Sequence, residues 1–283
     1  MRIKVAKHIG FCFGVRRAVN IAEEALSKGG KYYCLGAIIH NPQEVKRLSE
    51  KNLKIVNDIK YIKKGDTLII RSHGLLPGLI NSVKSRGIKL IDATCPFVKK
   101  AQELCKQLKK VGFDIIVVGE REHPEVKSIV GFGQGVAKVV ENLNDVGKLK
   151  PKNSKLGILA QTTQSKENFH ELVTALLKKY NSKFNYTEIR IFNTICGDSA
   201  ARQEAAKKIS SVCDVMLVVG GKNSANSRRL AKICSSKTER AYHIETANDI
   251  NLNWFKKSNR IGVISGASTP DWIIKEVVKK IKP

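Results

Sequence analysis

The sequence predicts an α/β fold made of three related units with parallel sheets, and three observations predict it. Short β-branched runs alternate with amphipathic helical stretches along all 283 residues, the pattern that strand–helix–strand crossovers leave. One form, a strand, then a cysteine, then a helix, occurs three times. Two further strand types recur between its copies in a fixed order, so the chain reads as a repeat.

The first form runs from Ile3-Lys4-Val5 through Cys12 to a helix over 15–26. It returns as Lys89-Leu90-Ile91, Cys95 and a helix over 98–108, and again as Ile189-Arg190-Ile191, Cys196 and a helix over 200–209. The second strand type gives Tyr32-Tyr33-Cys34-Leu35 before His40-Asn41-Pro42, and Ile115-Ile116-Val117-Val118 before His123-Pro124-Glu125. Its third copy is Met216-Leu217-Val218-Val219 before Asn223-Ser224-Ala225-Asn226. The third type gives Leu68-Ile69-Ile70 before Arg71-Ser72-His73-Gly74, and Leu156-Gly157-Ile158-Leu159 before Gln161-Thr162-Thr163. It ends with Ile261-Gly262-Val263-Ile264 before Ser265-Gly266-Ala267-Ser268. The expected units are 1–95, 96–195 and 196–283, each opening on its cysteine-bearing strand. Ligands of parallel sheets bind beyond the carboxyl ends of the strands. The nine post-strand segments are therefore expected to line those edges. A pseudo-threefold arrangement would bring Cys12, Cys95 and Cys196 to one point.

The seven cysteines include no C-x-x-C pair, and an odd number in a chain of cytosolic character argues against a disulfide framework. Three converging thiolates suit an iron–sulfur cluster with one open iron, or a zinc with one open position. Cys34, Cys105, Cys213 and Cys234 fall in apolar runs or on helix faces and read as core. His40, His73 and His123 lie in post-strand segments, whereas His8, His170 and His243 have no such context. Ser, Thr and Asn in the same segments lead into helix N-termini, which hold phosphate and which such residues also cap. Asn41-Pro42-Gln43-Glu44 has the form of a capped helix start. Glu125 reads equally as a proton donor or as a first-turn acid favoured by the helix dipole. Gly131-Phe132-Gly133-Gln134-Gly135 does not fit G-x-G-x-x-G and reads as a turn-rich loop, and no P-loop is present.

The 51 Lys and Arg against 25 Asp and Glu give a net charge of +26. The basic residues are dispersed and aromatics make up 6%, which argues against nucleic-acid binding. A lysine-rich solvated surface, an anionic membrane surface, and acidic small molecules or proteins are the readings left for the charge. No apolar run is long enough for a membrane span and Met1 to Val15 lacks a signal-peptide core. A cytoplasmic location is expected.

The chain resembles the 4-hydroxy-3-methylbut-2-enyl diphosphate reductase family over essentially its whole length. The carriers, in family order, are Gly10-Phe11-Cys12-Phe13-Gly14-Val15, Ile39-His40-Asn41-Pro42, Arg71-Ser72-His73-Gly74, Asp92-Ala93-Thr94-Cys95-Pro96 and His123-Pro124-Glu125-Val126. Gln161-Thr162-Thr163, Thr194-Ile195-Cys196, Lys222-Asn223-Ser224-Ala225-Asn226-Ser227 and Gly266-Ala267-Ser268 complete the series. The resemblance implies three units around a [4Fe-4S] cluster held by Cys12, Cys95 and Cys196. It implies reductive loss of the substrate hydroxyl to give isopentenyl and dimethylallyl diphosphate. His40, His73, Ser224, Asn226 and Ser268 match the diphosphate-binding positions. His123 matches the histidine beside the substrate, Glu125 the acid, and Thr162 the hydroxyl that orders the substrate alcohol. Ala225 stands where many relatives have Ser, which leaves only its backbone N–H for contact, and Ser199 where Thr is frequent. The resemblance also implies an acidic electron donor of ferredoxin or flavodoxin type. No RNA-binding module is expected after Pro283.

Overall fold

The structure, a computed structural model, describes residues 2–150, 152–181 and 187–282. The chain opens with β1 (Arg2–Val5) and α1 (Phe13–Ser27), then β2 (Tyr32–Leu35), α2 (Pro42–Glu50), β3 (Leu53–Val56), β4 (Thr67–Ile70), α3 (Pro77–Ser85) and β5 (Lys89–Asp92). It continues with α4 (Pro96–Lys110), β6 (Asp114–Val118), α5 (Pro124–Gly133), β7 (Ala137–Val140), α6 (Leu143–Lys148), β8 (Lys155–Ala160), α7 (Lys166–Asn181) and β9 (Glu188–Phe192). The last stretch holds α8 (Gly197–Ser210), β10 (Val215–Val219), α9 (Ala225–Ser235), β11 (Ala241–Ile244), β12 (Arg260–Ser265) and α10 (Asp271–Ile281). Proline occupies the first turn of α2, α3, α4 and α5, where its missing N–H is not needed and its fixed φ suits the helix.

Among the described residues the strands form three four-stranded, all-parallel sheets. Their orders are β3-β2-β4-β5, β7-β6-β8-β9 and β11-β10-β12-β1, one topology three times over. The inner strands β6, β8, β10 and β12 are almost wholly buried, so they read as continuous Val/Ile/Leu runs rather than alternating ones. Each cysteine-bearing strand is an edge. Those edges are half exposed and carry Arg2, Lys4, Lys89, Glu188 and Arg190, charges that discourage edge-to-edge pairing.

Two expectations are corrected. The cysteine-bearing strand does not share a sheet with the two strand types that follow it but edges another copy's sheet: β5 pairs with β4, β9 with β8, and β1, first in the chain, with β12 of the last sheet. A repeat read along one chain fixes a period but not a phase, so the N-terminal strand was grouped with the wrong neighbours. The Gly131 stretch is the last turn of α5, ended by Gln134 in the left-handed conformation. Three strands, β3, β7 and β11, went unread. Met1 and Pro283, the outer ends of the first and third expected units, lie outside the described residues.

The same hydrogen bond follows the leading inner strand of every sheet. Gly36, Gly119 and Gly220 each donate an N–H to the end of the adjacent strand, at Val56, Val140 and Ile244. A Cβ on Gly119 would lie 2.8 Å from both Gln161 Cβ and Val126 Cγ2, so the loop after β8 and helix α5 close on this point only because no side chain is there.

The chain divides into two compact units. The first is Met1–Val19, Ile39–Lys51 and Gly197–Pro283, and it holds the third sheet; the second is Asn20–Ile38 and Asn52–Cys196, and it holds the other two. In the second unit, one core lies under α7, where Leu156, Ile158, Phe169, Leu172 and Leu176 meet. In the first, Val215, Leu217, Ile261, Val263, Ile273 and Val277 form the core against α10. Among the described residues no helix is long and apolar enough to cross a membrane.

Leu172→Ala should lower stability by about 2–5 kcal/mol, because its neighbours cannot close the cavity fully. Leu143→Ala, at a side chain half exposed, should change it by less than about 0.5 kcal/mol. Denaturant titration of the two variants checks the contrast.

Candidate active site

Three cysteines are placed alike. The backbone N–H of Cys12 donates to Ala267, that of Cys95 to Ser72, and that of Cys196 to Thr162, each at 3.0 Å. Every acceptor lies in the loop after the strand that pairs with the cysteine's own edge strand. Each cysteine also opens a helix: Cys12 just before α1, Cys95 as the N-cap of α4, and Cys196 just before α8. Helix N-termini favour the thiolate, the form that ligates metals, and Cys12 Sγ accepts the Val15 N–H at 3.4 Å. All three are partly accessible and none is in a disulfide. This donor chemistry fits a thiolate-held iron–sulfur group. The other four cysteines are buried, and burial pushes the thiols of Cys34, Cys105 and Cys234 up to about 12. They are core residues, as the sequence predicts.

In the second unit, α5 presents the acid. His123 caps this helix, its Nδ1 accepting the Glu125 N–H at 3.2 Å. An accepting Nδ1 carries no proton, so the neutral ring bears its N–H at Nε2. The Glu125 side chain is buried. Its Oε1 accepts the Thr162 N–H at 2.6 Å and its Oε2 the Thr162 hydroxyl at 2.9 Å. Burial pushes its pKa up from 4.5 to about 7, against the lowering effect of both Thr162 bonds. Thr162 in turn receives the Cys196 N–H on its carbonyl. One continuous set of bonds therefore runs from a carboxyl that titrates near neutrality to a helix-start cysteine. His73, from the β4 loop, packs its ring edge-on to that of His123 with centroids 5.5 Å apart.

The first unit gathers His40, Ser224, Ala225, Asn226 and Ser268. His40 follows β2 in the chain and falls in this unit. Its carbonyl accepts the Ser268 hydroxyl at 2.9 Å, and a Cβ on Gly221 would come within 2.6 Å of the same oxygen. Ser224 caps α9 by accepting the Ser227 N–H at 3.3 Å, and the first-turn amides of Ala225 and Asn226 have no acceptor within the helix itself. Asn226 is buried, and its Nδ2 has no partner among the described residues. An open amide donor at a helix N-terminus is the polarity an anion requires. Asn41 caps α2 through the Glu44 N–H at 2.8 Å, as predicted.

Sequence reasoning passed over Arg202. Fully buried, it pairs with Asp198 at 2.7 Å and donates to the carbonyls of His8 and Ser265. With the Gly10 N–H to Ser265 Oγ bond at 2.8 Å, it fixes the loop that carries Cys12. The i, i+4 spacing to Asp198 is its one local signal; the carbonyl acceptors lie far away in sequence. His243 also gains a context: its Nε2 lies 2.9 Å from the Gly220 carbonyl, and burial lowers its pKa.

A raised carboxyl pKa means that the folded state holds the Glu125 proton more tightly than the unfolded chain does. The stability from that difference is complete below about 4.5 and is lost as pH rises through about 7. Glu125→Gln keeps the shape and has no proton to lose. Its stability relative to the unsubstituted protein should therefore increase as pH rises through this window, as measured by denaturation at a series of pH values.

Comparison with known proteins places the chain in a family. The sequence model of the LytB protein family matches residues 3–282. The 4-hydroxy-3-methylbut-2-enyl diphosphate reductase of Geotalea uraniireducens is 48% identical over 282 residues, covering 100% of this chain and 97% of that one. Its counterpart from Geobacter sp. strain M21 is also 48% identical, covering 99% and 97%. A solved (E)-4-hydroxy-3-methyl-but-2-enyl diphosphate reductase, 44% identical, covers 99% of each chain with a TM-score of 0.72. The Plasmodium falciparum E-1-hydroxy-2-methyl-but-2-enyl-4-diphosphate reductase is 31% identical and covers 98% of this chain and 86% of its own, with a TM-score of 0.91. The chain belongs to the LytB family of 4-hydroxy-3-methylbut-2-enyl diphosphate reductases.

Proposed function

We propose that this chain reductively dehydroxylates (E)-4-hydroxy-3-methylbut-2-enyl diphosphate to isopentenyl and dimethylallyl diphosphate, in the cytoplasm. The observation that carries the reading is the buried Glu125 carboxyl, poised near neutrality and bonded through Thr162 to the backbone of Cys196. Exchange of the C–O bond for a C–H bond takes two electrons from the reductant and two protons, one leaving with the oxygen as water and one reaching the allyl fragment. An acid with pKa near the working pH supplies such protons best.

Cys12, Cys95 and Cys196 would hold a [4Fe-4S] cluster. When bound, it supplies electrons and a Lewis-acidic iron. The diphosphate takes hydrogen bonds from His40, His73, Ser224 and Asn226, and from Ser268 once its hydroxyl turns away from the His40 carbonyl, with the Ala225 backbone N–H beside them. Anchoring that end restricts the motion of the allylic alcohol. His123 offers Nε2–H to the substrate, Thr162 orients its alcohol, and Glu125 delivers the proton. The net charge of +26 suits an anionic substrate and an acidic electron donor of ferredoxin or flavodoxin type.

Two variant sets test this. Cys12→Ser, Cys95→Ser and Cys196→Ser should each lower the iron and sulfide content of anaerobically purified protein and abolish turnover. The same change at Cys34, Cys105, Cys213 or Cys234 should leave iron content intact; unaltered iron in the first three would contradict the ligand assignment.

Glu125→Gln should retain iron yet lose about 10²–10⁴ in turnover with a chemical reductant. In the unsubstituted enzyme the rate should fall as pH rises through about 7. Near-normal turnover in Glu125→Gln would leave Glu125 as a helix-start acid only.

A further inference from the structure

One serine joins three elements of the second unit. Ser128, buried on α5, lies one helical turn after Glu125, and its hydroxyl is 2.8 Å from the Glu125 carbonyl and 2.8 Å from the His73 carbonyl. Gln102 Nε2, from the α4 helix that Cys95 caps, donates to the same Ser128 oxygen at 3.0 Å. A hydroxyl has one proton to give. With Gln102 supplying a donor, that proton must go to the carbonyls. Gly74 keeps this space open: it has a φ of 80°, and a Cβ there would lie 2.3 Å from Gln102 Nε2 and 3.1 Å from Ser128 Oγ. A serine bonding only within its own helix would meet the Glu125 carbonyl alone. The bond to His73 crosses from α5 to the β4 loop.

We propose that Ser128, with its proton directed by Gln102, is a positioning residue that sets the His73 loop against the helix bearing His123 and Glu125. The assignment rests on the proposed function only in what the alignment is for, namely holding the anionic end and the acid at a fixed separation.

The chemistry of Gln102 supplies a sharp test. Gln102→Glu keeps the shape and replaces the donor by an acceptor, so the Ser128 proton turns to the new carboxylate and away from His73. Ser128→Ala removes the hydroxyl. Each should lower kcat/KM by roughly three- to tenfold, mainly through KM. Each should also move the His73 and His123 imidazole resonances in spectra of the protein without substrate. Because Gln102 acts through Ser128, the double variant should be no worse than Ser128→Ala, whereas independent residues would give multiplied losses.

Shifted imidazole signals together with a non-multiplicative double variant establish the role. Unmoved signals overturn it, and so do multiplied losses. The imidazole readout needs no turnover, so failure of the unsubstituted protein to reduce the diphosphate would count against the proposed function and leave this assignment to the spectra.

Discussion

A buried carboxyl group is expensive unless it is neutral or hydrogen-bonded, and the arrangement around Glu125 follows from that cost. Two bonds from Thr162 partly offset the burial and leave the pKa near 7. Thr162 can serve because the loop after β8 is already fixed by the Gln161 N–H to Val118 bond and by the Cys196 N–H on its own carbonyl. The backbone thus determines where the acid is held, and the side chains tune its proton.

Repetition supplies that backbone. Three sheets of one topology place a glycine after the leading inner strand, a polar loop after the next, and a cysteine after the edge strand, with equivalent main-chain bonds each time. The loops differ in what they carry. His123 and Thr162 occur on the loops after the second sheet's strands with Glu125 in the first turn of α5, and Ser224 and Ser268 on those of the third with Asn226 in the first turn of α9. The scaffold therefore holds several chemistries with one set of backbone contacts, as expected when ligand groups occupy the carboxyl edges of parallel strands.

Much of this was legible in the sequence. The nine strands read from β-branched runs all exist, and the three cysteines marked by the strand–cysteine–helix form share one placement. What escaped has physical reasons. β3, β7 and β11 carry polar interruptions like those of β1 and β9, but no cysteine or histidine motif follows them to mark the repeat. The phase of the repeat depends on β1 pairing with β12, a contact between the two ends of the chain. Arg202, Gln102 and Ser128 also act through partners distant in sequence, and nothing beside them in the chain announces those partners.

The proposed function requires an iron–sulfur group on three thiolates and a proton from Glu125 for a reductive dehydroxylation. The most direct measurement purifies the unsubstituted protein without oxygen, determines its metal and sulfide, and supplies the allylic diphosphate alcohol with a chemical reductant. The account predicts a brown protein with iron and sulfide in equal amounts, and formation of isopentenyl and dimethylallyl diphosphate. A colourless protein containing zinc, or an iron-loaded one that leaves the hydroxyl in place, would contradict it.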